Sequence, residues 1–487
     1  MRGVWTTEHV KAAEERLMAR VPPGSLMRTA AFGLATHAAG MLARTTGGVA
    51  GRRVTLLVGA GNNGGDALWA GAFLRRRSVA VTAVLLVPDR AHRAGLTALR
   101  RAGGRVVSTV DGVAALRRAD LVLDGIVGLS ARGPLRPDAA ELVAAIGAPV
   151  LAVDLPSGVD PDTGAVDGPA VSADVTVTFG CHKPVHMLGA GAVRCGRVHL
   201  VDIGLGPELG EPDLVVLEPG EVGAAWPVPG PKDDKYTQGV TGVAAGSATY
   251  PGAAVLTAGA AVLATSGMVR YAGAAADEVR ARWPEVIATG SVADAGRVQA
   301  WVAGPGLGTG AAGREVLANV LHDGVPACLD ADAITLLARD PDLWDARDPD
   351  AAVVLTPHDR EFARIAEPLG VTLGPDRVAA AVELAKRVSS VVLLKGNTTV
   401  VADPDGRVLV NTARSAWLAT AGSGDVLSGL IGALLASGLD PWLAAGCAAW
   451  VHERAGSLAA GGVPTSSSRI LDAVPDAIRA ARVAVKP

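Results

Sequence analysis

The chain has 487 residues, of which 49% are hydrophobic and 3% aromatic, and its formal net charge is −3. A single hydrophobic core stops growing at roughly 250–300 residues, so this length predicts two domains. The small net charge excludes a global electrostatic field that would recruit nucleic acid or anionic lipid. Four scattered cysteines without a CxxC pair predict a reduced, cytoplasmic protein.

The first half of the chain alternates apolar, β-branched runs with helical segments. An amphipathic helix that Thr6 or Thr7 could cap comes first. After it, the pattern predicts a strand at 54–58, a helix at 67–77, a strand at 79–87, a helix at 94–102, a strand at 121–124, a helix at 139–146 and a strand at 150–154. Apolar strands separated by helices indicate a parallel sheet covered on both faces, with its ligand at the carboxyl ends of the strands.

Oxygen-bearing side chains follow three of these strands. Asn62, Asn63 and Asp66 follow the first strand, whereas Asp124 and Asp154 end two others. Such oxygens at one sheet edge suit a hard cation together with a general acid or base. The alternative left open is that Asp124 and Asp154 only cap helices.

Three motifs in this half, at residues 61–66, 128–134 and 154–158, together with Asp124, resemble the NAD(P)H-hydrate epimerase domain, a Rossmann-like parallel-sheet fold. The resemblance implies that a potassium ion would be held by Asn63, Asp124 and Ser157, and that Asp154 transfers the proton. It also implies that the hydrated nicotinamide nucleotide contacts Asn62, Asn63, Gly64, Gly65, Asp66, Gly128, Leu129, Ser130, Ala131, Arg132, Gly133, Pro134 and Asp154.

Residues 181–186 carry two histidines at a spacing that would suit zinc on a helix, but Pro184 lies between them. The segment is therefore predicted as a loop, solvated or at the edge of the ligand site. Lysine occurs only at positions 11, 183, 232, 235, 386, 395 and 486, so a lysine inside a motif is notable.

The α/β pattern lapses between residues 204 and 239, where prolines are dense. This predicts a stiff connector and a domain boundary. We expect an epimerase-like domain at 1–206, a linker at 207–225 and a second domain at 226–487. The uncharged stretch 238–269 is long enough to cross a membrane, but its glycines and Pro251 predict a buried strand, a turn and a buried helix instead.

In the second half, small residues give way at 419–430 to an apolar run that continues to Leu435. The pattern predicts a helix whose N-terminus lies at 422–425, where free N–H groups and the helix dipole favour an anion. Asp425, in the first turn, is placed to take a proton from an attacking hydroxyl. The alternative left open is an ordinary glycine-rich loop with a capping aspartate.

There is no Walker A lysine motif, which excludes a P-loop enzyme on pattern. The motifs at 250–254, 304–308, 330–333, 356–358, 395–396 and 422–425 instead resemble the ribokinase-like superfamily and, within it, the ADP-dependent NAD(P)H-hydrate dehydratase. The resemblance implies that the hydrated cofactor faces Ala254, Gly306, Gly308, His358 and Asp425. It implies that ADP or ATP, carried with Mg²⁺, faces Lys395, Gly396, Asn397, Thr398, Thr399 and Gly424. Asp359 and Arg360 replace the commoner Pro-Gly pair, which leaves the pose of His358 open.

Taken together, the two resemblances imply a bifunctional enzyme that epimerises the R and S hydrates of NADH and NADPH. Its second domain would dehydrate the S form to NAD(P)H, with release of AMP and phosphate. Two alternatives stay open: a ribokinase-like kinase of a small alcohol or vitamin precursor with a regulatory N-terminal domain, and a non-catalytic nucleotide-binding scaffold. The expected partners are small molecules and, by analogy, further copies of the chain, with neither nucleic acid nor membrane.

Overall fold

The computed structural model describes residues 1–130, 132–265, 267–345, 347–413 and 416–485. The chain divides into two compact units, Gly3–Leu214 and Val215–Pro487, and its first two residues group with the second unit. The division lies inside the segment 207–225 that the sequence predicts as a linker.

The first part of the chain, through the division, carries these elements: β1 (Arg2–Val4), α1 (Thr7–Met18), α2 (Ser25–Thr46), β2 (Arg53–Val58), α3 (Asn62–Arg75), β3 (Ala80–Leu85), α4 (Arg93–Arg101), β4 (Arg105–Val107), α5 (Thr109–Leu116), β5 (Leu121–Gly125), α6 (Pro137–Ala144), β6 (Val150–Val153), β7 (Val175–Phe179), α7 (Gly189–Arg194), β8 (Arg197–Val201) and β9 (Leu214–Val216).

The sheet of the N-terminal unit is parallel, in the order β4-β3-β2-β5-β6-β7-β8. The chain steps outward from β2 to β4 and then returns to the other side of β2 with β5. The strand order therefore reverses between β2 and β5, and open sheets of this kind bind ligands beyond the strand ends at such a reversal.

Alternate residues of these strands enter two different hydrophobic clusters. Leu56 and Leu123 pack with residues of α2 and α3, whereas Leu57 and Val122 pack with residues of α5 and α6. Because successive side chains of a strand point to opposite faces, the sheet is covered on both faces, as the sequence predicts.

Two local expectations for this unit were wrong. The helix after β2 begins at Asn62, not at 67, so residues 62–66 are its first five residues and not a loop. Thr6 precedes α1 but makes no side-chain cap bond to it, because its hydroxyl donates to Asp213 Oδ2 at 3.0 Å.

The second part of the chain carries these elements: α8 (Pro219–Ala225), β10 (Val240–Ala244), α9 (Pro251–Ala264), β11 (Met268–Ala272), α10 (Ala276–Arg282), β12 (Ile287–Thr289), β13 (Ala300–Ala303), α11 (Ala311–His322), β14 (Ala327–Leu329), α12 (Asp332–Arg339), α13 (Asp342–Asp345), β15 (Val353–Leu355), α14 (Asp359–Ala366), α15 (Arg377–Val388), β16 (Val391–Leu394), β17 (Thr398–Ala402), β18 (Val408–Thr412), α16 (Ser423–Ala436), α17 (Pro441–Ala460), α18 (Ser467–Asp472) and α19 (Val474–Val483).

Seven strands of this unit run parallel, in the order β12-β11-β10-β13-β14-β15-β16. Strand β17 then pairs antiparallel with β16, and β18 pairs antiparallel with β17 to form a hairpin. The stretch 238–269 contains β10, a turn and α9, as predicted. In the part of the chain that the structure describes, no helix combines the length and apolar character that crossing a membrane requires. The predicted linker is more regular than expected, since Pro219 starts α8.

Candidate active sites

The predicted anion site of the C-terminal unit lies at the start of α16. Gly422 precedes the helix with a φ of 83°, a left-handed conformation that glycine adopts without strain. Residues 426–436 are buried, and Gly429 packs so closely on α9 that an added Cβ would lie 2.3 Å from the Thr257 carbonyl oxygen. This packing fixes the position of the helix N-terminus, and with it Asp425.

A cavity of about 780 Å³ opens at this helix N-terminus and at the carboxyl ends of β14, β15 and β16. Of the predicted site residues, those that line it are His358, Lys395, Gly396, Asn397, Thr399, Gly424 and Asp425. Asp330, Glu361 and His452 line it as well. The structure thus brings most of the predicted nucleotide residues together with the predicted base.

Four predicted residues are not part of this cavity lining. A Cβ on Gly306 would touch Tyr250 and Ala253 where the chain enters α9, and Ala254 of α9 packs on Gly246. The Gly308 amide donates to Asp332 Oδ2 at 2.8 Å. Thr398 is buried as the first residue of β17. These positions lie near strand ends but do not line the space around Asp425.

Lys395 places a positive charge in the lining of the cavity. Its Nζ donates to Asp330 Oδ1 at 2.7 Å and lies 3.7 Å from Glu361 Oε2. Asp330 Oδ2 also accepts a hydrogen bond from Ser428 Oγ at 2.8 Å. A Cβ on Gly424 would lie 3.5 Å from Asp330 Oδ2 and 3.6 Å from Lys395 Nζ, so the first turn of α16 sits directly against this ion pair.

Asp425 has a strongly altered acidity. Burial, followed by the negative charge of Asp330, raises the pKa of its carboxyl to about 7, and the positive charge of Lys395 opposes the shift. A carboxylate that titrates near neutral pH is suited to accept a proton during catalysis.

His358 has a structural role as well as a place at the cavity. Its Nδ1 accepts hydrogen bonds from the amides of Arg360 and Glu361 at 3.1 and 3.2 Å, and Glu361 Oε2 accepts from the His358 amide at 2.9 Å. The histidine therefore caps α14, which Asp359 begins, and its side chain is half exposed toward the cavity.

In the N-terminal unit, Asp154 follows β6 with a φ of 68°, a left-handed conformation that is costly for a residue other than glycine. Its Oδ1 accepts hydrogen bonds from Lys183 Nζ at 2.7 Å and Thr178 Oγ1 at 2.8 Å. Lys183 is 1% exposed and also donates to the Phe179 carbonyl at 2.9 Å. Burial alone would raise the pKa of Asp154, but the Lys183 charge and these hydrogen bonds lower it.

The three predicted potassium ligands lie in one network near the β2–β5 reversal. Ser157 donates to Asp124 through its amide and its hydroxyl, both at 2.7 Å. The Val127 amide donates to Ser157 Oγ at 3.1 Å, and Asn63 Nδ2 donates to the Val127 carbonyl at 2.8 Å. Burial raises the pKa of Asp124 to about 6, and its hydrogen bonds oppose that shift.

The predicted substrate residues of this unit have different environments. Ser130, Arg132, Gly133 and Pro134 line a cavity of about 260 Å³, whereas Ala131 lies outside the described residues. Gly128 lies against Asn63. The remaining positions do not line that cavity. Asn62 is exposed at the start of α3, and Asp66 is buried as the fifth residue of that helix. Gly64 packs on Gly59, Gly65 packs on Met27 and His92, and Leu129 packs into hydrophobic clusters.

Sequence reasoning did not include Lys183 and Asp330 among the site residues. Lys183 is one of the few lysines, and it lies in the segment 181–186, which the sequence predicts as a loop. Asp330 belongs to the motif at 330–333, and the resemblance assigns it no role. Scarcity of lysine was the available signal for the first, and the position at the end of a strand for the second. Within the described ranges, no group of three or more His, Cys, Asp and Glu side chains is placed to hold a metal ion.

Each of the two α/β units thus places an aspartate of altered pKa beyond the ends of parallel strands, Asp154 in the first unit and Asp425 in the second. This arrangement is typical of a two-site enzyme. Residues 23–185 match the family model described as YjeF-related protein N-terminus, and residues 241–475 match the model described as NAD(P)H-hydrate dehydratase.

Curated relatives span nearly the whole chain. The bifunctional NAD(P)H-hydrate repair enzyme Nnr of Mycobacterium tuberculosis is 58% identical over 90% of this chain and 90% of its own length. The Mycobacterium leprae protein of the same name is 55% identical over 99% and 100%. A crystallised ADP/ATP-dependent NAD(P)H-hydrate dehydratase from Bacillus subtilis is 28% identical, covers 54% of this chain and 96% of its own, and superposes with a TM-score of 0.48. The chain belongs to the family of bifunctional NAD(P)H-hydrate repair enzymes.

Proposed function

We propose that the N-terminal unit, at 1–206, interconverts the R and S hydrates of NADH and NADPH through Asp154. The C-terminal unit, at 226–487, dehydrates the S hydrate through Asp425, with ADP or ATP as the phosphoryl donor. One observation carries the second assignment: Asp425, with a pKa near 7, stands in the first turn of α16 beside Lys395 and the cavity.

The dehydratase chemistry follows from the substrate, whose hydroxyl is on a ring carbon bonded to nitrogen. Water is a poor leaving group, so the site first transfers a phosphoryl group to that hydroxyl while Asp425 takes its proton. The ring nitrogen then expels phosphate with formation of a C=N bond, and loss of a proton from the neighbouring ring carbon restores the dihydropyridine. With ADP as donor, the products are AMP and phosphate. The N–H groups at the start of α16 and the Lys395 ammonium stabilise the charge on the transferring group.

Magnesium would enter with the nucleotide. Mg²⁺ keeps several waters and is usually held by one or two carboxylates together with substrate phosphates. Glu361, which lines the cavity, fits such a role, because in the described residues its contacts with basic side chains are long: Lys395 Nζ lies 3.7 Å and His358 Nε2 3.4 Å from its carboxylate. The ion would neutralise charge on the phosphates during transfer.

Potassium fits the N-terminal network by the chemistry of its donors. The amide oxygen of Asn63, the carboxylate of Asp124 and the hydroxyl of Ser157 are hard oxygen ligands, and the buried Asp124 has no basic side chain among its hydrogen-bond donors in the described residues. A bound monovalent cation would supply the missing positive charge. Comparing epimer exchange in potassium, sodium and lithium chloride tests this assignment, and equal rates in all three salts would refute it.

The experiment that tests both activities follows the recovery of reduced-nicotinamide absorbance from a mixture of the two hydrate epimers, with ADP or ATP in parallel. Full recovery with one nucleotide would establish both activities and the donor. Recovery that stops at the share of one epimer would leave a dehydratase beside an inactive N-terminal unit. Transfer of phosphate without dehydration would favour a kinase, and binding without turnover a scaffold.

A further inference from the structure

Another carboxyl group of the N-terminal unit, that of Asp66, has a buried oxygen without a hydrogen-bond partner among the described residues. Asp66 is the fifth residue of α3 and is 9% exposed. Its Oδ1 is buried and accepts no hydrogen bond from the residues that the structure describes. A buried polar atom left unpaired destabilises the fold, so such an atom calls for an explanation.

The position of Asp66 supplies one. It follows β2, at the reversal of strand order where ligands of open sheets bind. Asp154, Glu14 and Lys183 lie near enough for their charges to act on its carboxyl group. Lys183 and Thr178 both donate to Asp154 Oδ1, so Oδ2 is the oxygen left to act on a ligand.

We propose that Asp66 is a second catalytic residue of the epimerase: it donates a proton to the departing hydroxyl, while Asp154 accepts a proton from the water that adds to the opposite face. The proposal rests on the epimerase activity proposed above. It replaces a purely binding role for Asp66 with a chemical one.

The electrostatics of the two carboxyls agree with this division. Burial, together with the charges of Asp154 and Glu14, raises the pKa of Asp66 well above its usual range, which favours the protonated form. Burial acts in the same direction on Asp154, but the adjacent Lys183 lowers its pKa and keeps it ionised. Two nearby carboxyls whose environments separate their pKa values are suited to opposite roles, one as acid and one as base.

The reaction balances as two steps. In the first, the lone pair of the ring nitrogen forms a C=N bond, the carbon–oxygen bond breaks, and the Asp66 proton leaves with the hydroxyl as water. In the second, a water molecule attacks the same carbon from the other face, the C=N electrons return to nitrogen, and the excess proton passes to Asp154. Before the next turnover in the same direction, Asp154 gives its proton to solvent water and Asp66 takes one up from it, so the only other reactant is water. The opposite epimer runs the same path in reverse, starting from protonated Asp154.

This path exchanges the hydroxyl oxygen with solvent at every turnover, which gives a direct test. The full chain would be incubated with one purified NADH-hydrate epimer in ¹⁸O-enriched water without nucleotide, and the epimer ratio and isotope content followed together. A sample without protein corrects for spontaneous exchange. The expected result is one ¹⁸O atom gained per epimerisation. Enzymatic epimerisation that retains the original oxygen would overturn the proposal.

Variants test the residue itself. For Asp66→Asn we expect the epimerisation kcat to fall roughly 10²–10⁴-fold, typical of a lost general acid, with KM little changed. The exposed Asp89→Asn is the matched control and should epimerise normally. Dehydration of the S hydrate by the same preparation confirms that the protein is active. Unchanged kcat in Asp66→Asn, or a rise in KM alone, would overturn the catalytic role, whereas wild-type protein without any epimerisation would instead refute the proposed function.

Discussion

Lys395 and Asp330 form a 2.7 Å ion pair between the ends of β16 and β14, directly beneath the first turn of α16. The pair places a positive and a negative charge beside Asp425, and their effects on its carboxyl group are opposite. Asp330 raises and Lys395 lowers the pKa of Asp425, and each of these two neighbours can be removed by a single substitution.

Asp425→Asn should abolish dehydration and leave epimerisation intact. The amide cannot accept the hydroxyl proton, so we expect a loss of roughly 10²–10⁴-fold in dehydration kcat. Absorbance recovery with nucleotide measures dehydration, and epimer exchange without nucleotide measures the other activity. Loss of both in a folded variant would contradict separate sites. Asp154→Asn should show the reverse pattern.

Dehydration should depend on pH through Asp425. Because the reaction needs the carboxylate and burial raises its pKa to about 7, kcat should be highest above that pH and fall about tenfold per unit well below it. A pH profile of kcat with saturating hydrate and nucleotide checks this. A profile flat between pH 5 and 8 would remove Asp425 as the titrating base.

Two variants should move that profile in opposite directions. Lys395→Met removes the charge that lowers the pKa of Asp425, so the fall of kcat on acidification should begin at a higher pH. Asp330→Asn removes a charge that raises this pKa, so the fall should begin at a lower pH. Lys395→Met should also weaken nucleotide binding, measured by calorimetry. Shifts of the same sign in both variants would contradict the charge relationship.

Lys183→Met should damage the epimerase site. It leaves the buried Asp154 without its cation, which typically costs about 3–5 kcal/mol, and it raises the pKa of that carboxyl. In the wild type the lowered pKa stabilises the fold above the ordinary carboxyl pKa, and this contribution is lost as pH falls. We therefore expect a lower melting temperature whose deficit is largest at neutral pH and shrinks in acid. An equal deficit at every pH would indicate a packing effect alone.

Gly429→Ala should destabilise the C-terminal unit. Its Cβ would lie 2.3 Å from the Thr257 carbonyl oxygen where α16 packs on α9, and such overpacking costs about 1–3 kcal/mol or more. Gly252→Ala is the matched control, since no atom lies within 4 Å of its added Cβ. Thermal unfolding of both variants compares them. Equal melting temperatures would show that the helix contact yields without cost.

The two-domain α/β architecture could be predicted because apolar strands and helical segments alternate along both halves. The start of α16 was predictable too, since the change from small to apolar residues at 422–426 marks a helix N-terminus. Tertiary contacts decided what the sequence could not. Residues 62–66 joined α3 because Gly64 and Gly65 pack tightly, and Lys183 reaches Asp154 across 29 positions of chain, a distance over which local patterns carry no information.

The enclosure of Lys183 also has a chemical consequence. Its ammonium donates to three fixed oxygens, and although burial opposes it, the neighbouring Asp154 raises the pKa of Lys183. A protonated, shielded amine is a poor nucleophile, so amine-acylating reagents will react much more slowly with Lys183 than with lysines in contact with water. Acylation of Lys183 therefore requires the loop after β7 to open, and the rate of this modification measures how often that loop opens.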